Sequence, residues 1–169
     1  MISNYTRVDN FTWNEEAGNE NDLLDKLSGY DLVIIGIHQT DQRPYNNFGL
    51  KPGMERFLSG IPDHLSTITV YFGNPYALAR FGQVEKSDAL LLAYQDNRFT
   101  QELSAQLIFG ALGAHGRLPV TINENYPAGY GLITPGKLRL QYGYPENAGV
   151  SSKLLEKKID SIATAGLQG

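Results

Sequence analysis

Asp31-Leu32-Val33-Ile34-Ile35-Gly36-Ile37 is apolar at odd and even positions alike. Successive side chains of a strand point to opposite faces, so such a run needs a covering layer on both sides, the usual condition of a parallel strand. Two later runs share this texture, residues 67–72 (TITVYF) and 89–94 (ALLLAY). Short helical patterns at residues 54–58 and 76–81 separate the three. Parallel strands cannot be joined by tight hairpins, and strands alternating with helices predict an α/β/α sandwich of three layers around a mostly parallel sheet.

Working outward, residues 21–28 place Leu23, Leu24 and Leu27 on one helical stripe, with Gly29 set to end the helix. Residues 100–112 form the best helical pattern. Thr100 is the expected cap, Glu102 lies near the positive end of the dipole, Leu103, Leu107 and Ala111 line one face, and Gly113 is the expected stop. Residues 6–13 alternate like an edge strand, and residues 118–122 are a further strand candidate, since Pro119 suits a strand start or edge. Residues 126–144, rich in Gly, Pro and Tyr, read as an irregular but ordered tail. A linker at 145–149 precedes an amphipathic helix at 152–165, with Leu155, Ile159, Ile162 and Ala163 on one side. The division expected is a sandwich domain over 1–145, then a linker and the first helix of another domain over 146–169.

Composition narrows the function. In 169 residues, 41% are hydrophobic and 19% charged, which supports a packed core and excludes intrinsic disorder. The net charge of −4 lacks the basic footprint of a nucleic-acid binder. No apolar run approaches the roughly 20 residues that span a bilayer, and residues 1–5 have neither the basic nor the apolar region of a signal peptide. With 0 cysteines there is no disulfide, thiolate nucleophile or Cys-ligated zinc.

Catalytic signatures are poor. Gly131 to Lys137 has phosphate-loop spacing, but Leu138 stands where Ser or Thr would hold magnesium, and the stretch reads as a turn. Gly110, Gly113 and Gly116 follow a helix, whereas a dinucleotide loop follows a strand. Neither G-x-S-x-G nor S-x-x-K occurs. His38, His64 and His115 are too far apart for a helical metal pair, and no metal or cofactor is expected. His38 stands out because it follows the first buried strand, and ligands of open α/β sheets collect outside the carboxyl ends of the strands. Three strand ends would present residues 38–43, 73–76 and 95–98 on that edge. His38, Asp41, Arg43, Asn74 and Tyr76 are the candidates to touch a substrate or partner there. Arg43 offers a planar fork for carboxylate or hydroxyl oxygens, and Asn74 is expected chiefly to cap the helix at Tyr76.

Taken in order, Gly73-Asn74-Pro75-Tyr76-Ala77-Leu78, then Ala89-Leu90-Leu91-Leu92-Ala93-Tyr94, then Gln106-Leu107-Ile108-Phe109-Gly110, then Gly116-Arg117-Leu118-Pro119-Val120 resemble the C-terminal sandwich domain of glycoside hydrolase family 3. The likeness spans residues 31–144 and implies a flavodoxin-like fold lacking its first strand, because the family's sandwich opens with a strand and helix before the region matched. It also implies a partner, the catalytic barrel of the same parent, which carries the aspartate nucleophile and binds the carbohydrate. In β-glucosidase-like members a glutamate of the sandwich is the general acid. Residues 38–48 contain none, and Asp41 is one methylene shorter. The likeness is therefore to β-N-acetylhexosaminidase-like members, whose sandwich supplies no catalytic group. Residues 149–163 resemble the opening helix of a β-lactamase-like domain, which some bacterial members carry, and the expected setting of the parent is the periplasm or cell envelope. The competing expectation is a free-standing flavodoxin-like module for a small ligand. Against it, residues 39–44 make a poor phosphate loop.

Overall fold

A computed structural model of the chain describes residues 1–38, 40–139 and 143–167. The fold is α/β. Strands β1 (Leu32–Ile37), β2 (Ser66–Tyr71) and β3 (Ala89–Leu92) form a parallel sheet in the order β1-β2-β3. Val33 pairs with Thr67, Ile35 with Thr69 and Ile37 with Tyr71, and β2 then aligns Thr69 with Leu90 and Tyr71 with Leu92. Paired residues of parallel strands share a face, so Ile35, Ile37, Tyr71, Leu90 and Leu92 look one way.

That face holds the core. Helix α2 (Pro52–Ser59) connects β1 to β2, and two 3-10 turns, Pro75–Arg80 and Gly82–Lys86, connect β2 to β3. Phe48, Leu50, Ala77, Leu78, Phe81 and Val84 close over Ile37 and Tyr71. At the amino end α1 (Glu20–Leu27) buries Leu23 and Leu27 against Phe57 and Leu65, with Trp13 stacked on Phe57. Thr69, wholly buried among apolar neighbours, shares a 2.6 Å hydrogen bond with Ser87.

The other face is thinner than the apolar strands imply. Val70 and Phe72 are buried, Ile34, Ile68 and Leu91 only half-buried, and Leu32 is 46% exposed. Right-handed crossovers through β1-β2-β3 step in one direction and so place both connections on the same side. The second side depends on chain that follows β3 or precedes α1.

After β3, Tyr94 takes a left-handed backbone (φ 62) that ends the strand. Helix α3 (Arg98–Ile108) begins earlier than its apolar stripe suggests. Its cap is Asn97, whose side chain accepts from Thr100 N, while the Thr100 hydroxyl accepts from Asn97 N. It ends at a left-handed Gly110 rather than at Gly113. Ser28, in right-handed helical geometry, likewise ends α1, and Gly29 is not left-handed.

Two strand expectations fail. Residues 6–13 form no ladder, and Phe11 and Asp9 instead contact Tyr30. Residues 118–122 run beside residues 126–130 through Leu118 N to Tyr130 O, Gly129 N to Leu118 O and Ile122 N to Tyr126 O, a hairpin too tight and irregular for strands. Beyond it the chain doubles back, Thr134 N, Lys137 N and Leu138 N donating to carbonyls of Ala114, Ala111 and Gly110. This return requires glycine: a Cβ on Gly136 would sit 2.5 Å from Gly113 N, and one on Gly113 2.6 Å from Thr134 O. The linker coils into a 3-10 turn, Pro145–Ala148, whose Glu146 caps α4 (Ser152–Leu167) through Ser152 N and Oγ.

Candidate functional site

The strand ends carry two distinct groups of side chains. The first lies across the end of β2. His38, just past β1, stacks on Phe72 with ring centroids 4.6 Å apart and planes 16° apart, and its Nδ1 lies 3.0 Å from Asp96 Oδ1. Gln101 Nε2 donates to the same oxygen at 2.7 Å. Gly36 gives the ring its room, since a Cβ there would meet His38 Nε2 at 2.7 Å.

The second group is the loop from 40 to 50, tied down at both ends and in its middle. The Thr40 hydroxyl donates to Phe72 O, Asp41 N donates to Phe48 O at 2.7 Å, and Phe48 is 2% exposed in the core. Asp41 is its electrostatic centre. Its carboxylate accepts from Arg43 N, Nε and NH2 and from Asn46 Nδ2, at 2.7–3.1 Å. These donors, the Arg43 side chain foremost, hold Asp41 well below the usual carboxylate range. Arg43 also donates from NH1 to the Tyr45 hydroxyl at 3.0 Å, and Asp41 raises its pKa further.

Asn74 does two jobs. Its Oδ1 accepts from Tyr76 N at 3.1 Å, capping the Pro75–Arg80 turn, and its Nδ2 donates to Gln42 O at 3.2 Å, stitching the β2 end to the loop after β1. Tyr76 is 49% exposed. The five candidates thus sit at the strand ends but divide into two sets: His38 belongs with Asp96 and Phe72, while Asp41 and Arg43 belong to the loop, to which Asn74, starting the turn at Tyr76, is bonded. Gln39 lies outside the described residues. Asn74 caps the turn at Tyr76 as expected. The guanidinium fork of Arg43 is engaged by Asp41 and Tyr45. Beside it opens a groove of about 780 Å³ lined by Thr40, Asp41, Gln42, Arg43, Asn46 and Lys51, with Gly49 and Leu50.

Sequence reasoning passed over Asp96 as a partner of His38 and Tyr45 as an exposed ring. Asp96 was legible only as one of several polar residues after β3, and an outward tyrosine leaves no periodic signal. Among the described residues no cluster of three or more His, Cys, Asp or Glu is placed to hold a metal ion, and no helix is long and apolar enough to cross a membrane. Comparison with family models, with curated proteins and with solved structures finds no significant match to this chain.

Proposed function

We propose that this chain is a non-catalytic sandwich domain of a family 3 glycoside hydrolase of the β-N-acetylhexosaminidase-like kind, which packs on a catalytic barrel and borders its carbohydrate cleft. The observation that carries the reading is the state of Asp41. A general acid for glycoside cleavage must keep its proton near neutral pH, which takes a raised pKa and a free face toward the leaving oxygen. Asp41, the sole carboxylate among residues 38–48, has its pKa pushed down and both oxygens occupied. The loop that would supply the acid in a β-glucosidase-like relative therefore offers none, and the domain's work is structural and substrate-bordering. The resemblance of Gly73 to Leu78, Ala89 to Tyr94, Gln106 to Gly110 and Gly116 to Val120 supports the family reading, and the parallel α/β sheet is compatible with it.

The test is the parent polypeptide. Its upstream reading frame is expected to encode a barrel with a Lys-His-(Phe or Tyr)-Pro-Gly-His motif, and the parent to release aryl alcohol from an aryl β-N-acetylglucosaminide. The 169-residue chain alone is expected to release none. Turnover by the isolated chain that disappears in Asp41→Asn would overturn the reading.

A further inference from the structure

We infer that the open edge of β1 docks a second copy of this chain, the two β1 strands running antiparallel about a two-fold axis at Ile34. The inference stands on the sheet alone and does not rest on the family reading.

β1 has the sequence of a central strand and the place of an outer one. In the order β1-β2-β3 it pairs with β2 alone. Ser66 N donates to Asp31 O and Phe72 N to Ile37 O, which fixes the alternation. Residues 31, 33, 35 and 37 turn their N–H and C=O groups to β2, and Leu32, Ile34 and Gly36 turn theirs to the open side. Among the described residues no hydrogen bond from another segment reaches those three. Natural sheet edges are blunted by lysine, proline, a bulge or short length. β1 has none of these: it runs for 6 uncharged residues, LVIIGI, in unbroken register with β2. The opposite edge is managed. β3 has 4 residues, and the left-handed Tyr94 turns the chain out of the sheet soon after it.

Self-complementarity selects the occupant. In the antiparallel register centred on Ile34, that residue meets Ile34 of the second copy and Leu32 meets its Gly36. These are the outward-turned residues, so each opposed pair exchanges both of its backbone bonds. Their side-chain positions all lie on the thinner face of the sheet, where Ile34 is half-buried and Leu32 is 46% exposed. Directly opposed side chains touch across such a pair, so the second copy covers this margin of the face. Gly36 carries no Cβ and the His38 ring lies over it, so the incoming leucine packs against a ring. With no charge between Leu32 and Ile37, two copies bring no like charges into register. The pairing is also closed. One two-fold operation uses the long edge of both copies and leaves only the short β3 edges outside, which makes a dimer and not a fibre.

The full 169-residue chain is followed by sedimentation velocity from about 10 μM to about 1 mM, where small contacts associate. A monomer–dimer equilibrium is expected. As concentration rises, the amides of Leu32, Ile34 and Gly36 should exchange more slowly, while those of Val33 and Ile35, already bonded to β2, should change little. Ile34→Lys and Ile34→Glu should each weaken self-association by about tenfold or more, because residue 34 faces itself across the axis. Mixed together, the two variants should associate within about threefold of wild type, a rescue that only this register gives. Leu32→Lys, at the more exposed position, should also weaken association while keeping the wild-type circular dichroism, and it serves if the residue 34 variants do not fold. A chain that stays monomeric across the range overturns the inference. So does a dimer that survives Leu32→Lys, or one whose outward β1 amides gain no protection. Dissociation by Ile162→Lys and not by Leu32→Lys would overturn it too, placing the contact on the exposed apolar side of α4.

Discussion

His38 Nδ1 lies 3.0 Å from Asp96 Oδ1, joining the ends of the two outer strands across the end of the central one. The imidazole bridges because it lies flat on Phe72, and it lies flat because position 36 carries no Cβ. Gly36 is thus a packing requirement of His38 and not a weakness of β1.

This dependence gives a paired prediction. His38→Ala should cost about 1 kcal/mol, combining a lost aromatic stack with a half-exposed polar pair. Gly36→Ala should cost a similar amount in the wild type by pushing the ring off Phe72, yet be neutral or mildly stabilising in the His38→Ala background, since alanine suits a strand better than glycine. Urea unfolding of the four proteins completes the cycle. Equal costs of Gly36→Ala in both backgrounds would refute the coupling.

Asn74 is expected to be worth more than a cap. Asn74→Ala should lose about 0.5–2 kcal/mol through the turn it starts and also loosen the loop at Gln42. Asn74→Asp keeps the acceptor for Tyr76 N but not the donor to Gln42 O. It should therefore restore much of the stability while amide exchange in residues 41–43 stays as fast as in the alanine variant.

The three strands were legible because burial imposes a pattern on sequence: residues 31–37, 67–72 and 89–94 anticipate Leu32–Ile37, Ser66–Tyr71 and Ala89–Leu92. Residues 6–13 and 118–122 misled because alternation describes what a strand could bury and not whether a neighbour stands beside it. The helix start moved from Thr100 to Asn97 because a capping box is reciprocal and either member reads as the cap. At the site, topology placed His38 and Asn74 at the strand ends. The His38–Asp96 contact spans 58 residues and has no local signature, whereas the Asp41–Arg43 pair, two residues apart, was there to be read.

Asp41 also predicts an acid response. A carboxylate whose folded pKa is depressed stabilises above its unfolded value, about 3.9, and loses that contribution as pH falls toward the folded value. The stability difference between wild type and Asp41→Asn should be constant above about pH 5 and shrink steadily below pH 4. In NMR titration the Asp41 side-chain carbon should report a carboxylate still ionised at pH 3, where ordinary carboxylates are largely protonated. Titration of Asp41 near the normal range would mean that the Arg43 and Asn46 bonds do not hold in solution.

The last prediction concerns the opposite end of the pH scale. Tyr71 is wholly buried at the end of β2, and among the described residues its hydroxyl has no hydrogen-bond partner. Burial alone pushes its pKa up to about 12. An unbonded buried hydroxyl costs its desolvation and returns nothing, so Tyr71→Phe should be neutral or stabilising at pH 7, within about 1 kcal/mol. The sign reverses the Asp41 case. Folding keeps Tyr71 protonated, so stability is intact below the unfolded tyrosine value near 10 and falls as pH rises from there toward 12. Wild type should therefore lose melting temperature faster than Tyr71→Phe between pH 10 and 12, and phenolate absorbance should show one tyrosine ionising late, absent from the variant. If Tyr71→Phe were strongly destabilising at neutral pH, or if the late phenolate survived the substitution, the hydroxyl would have a partner and the packing of this strand end would need another account.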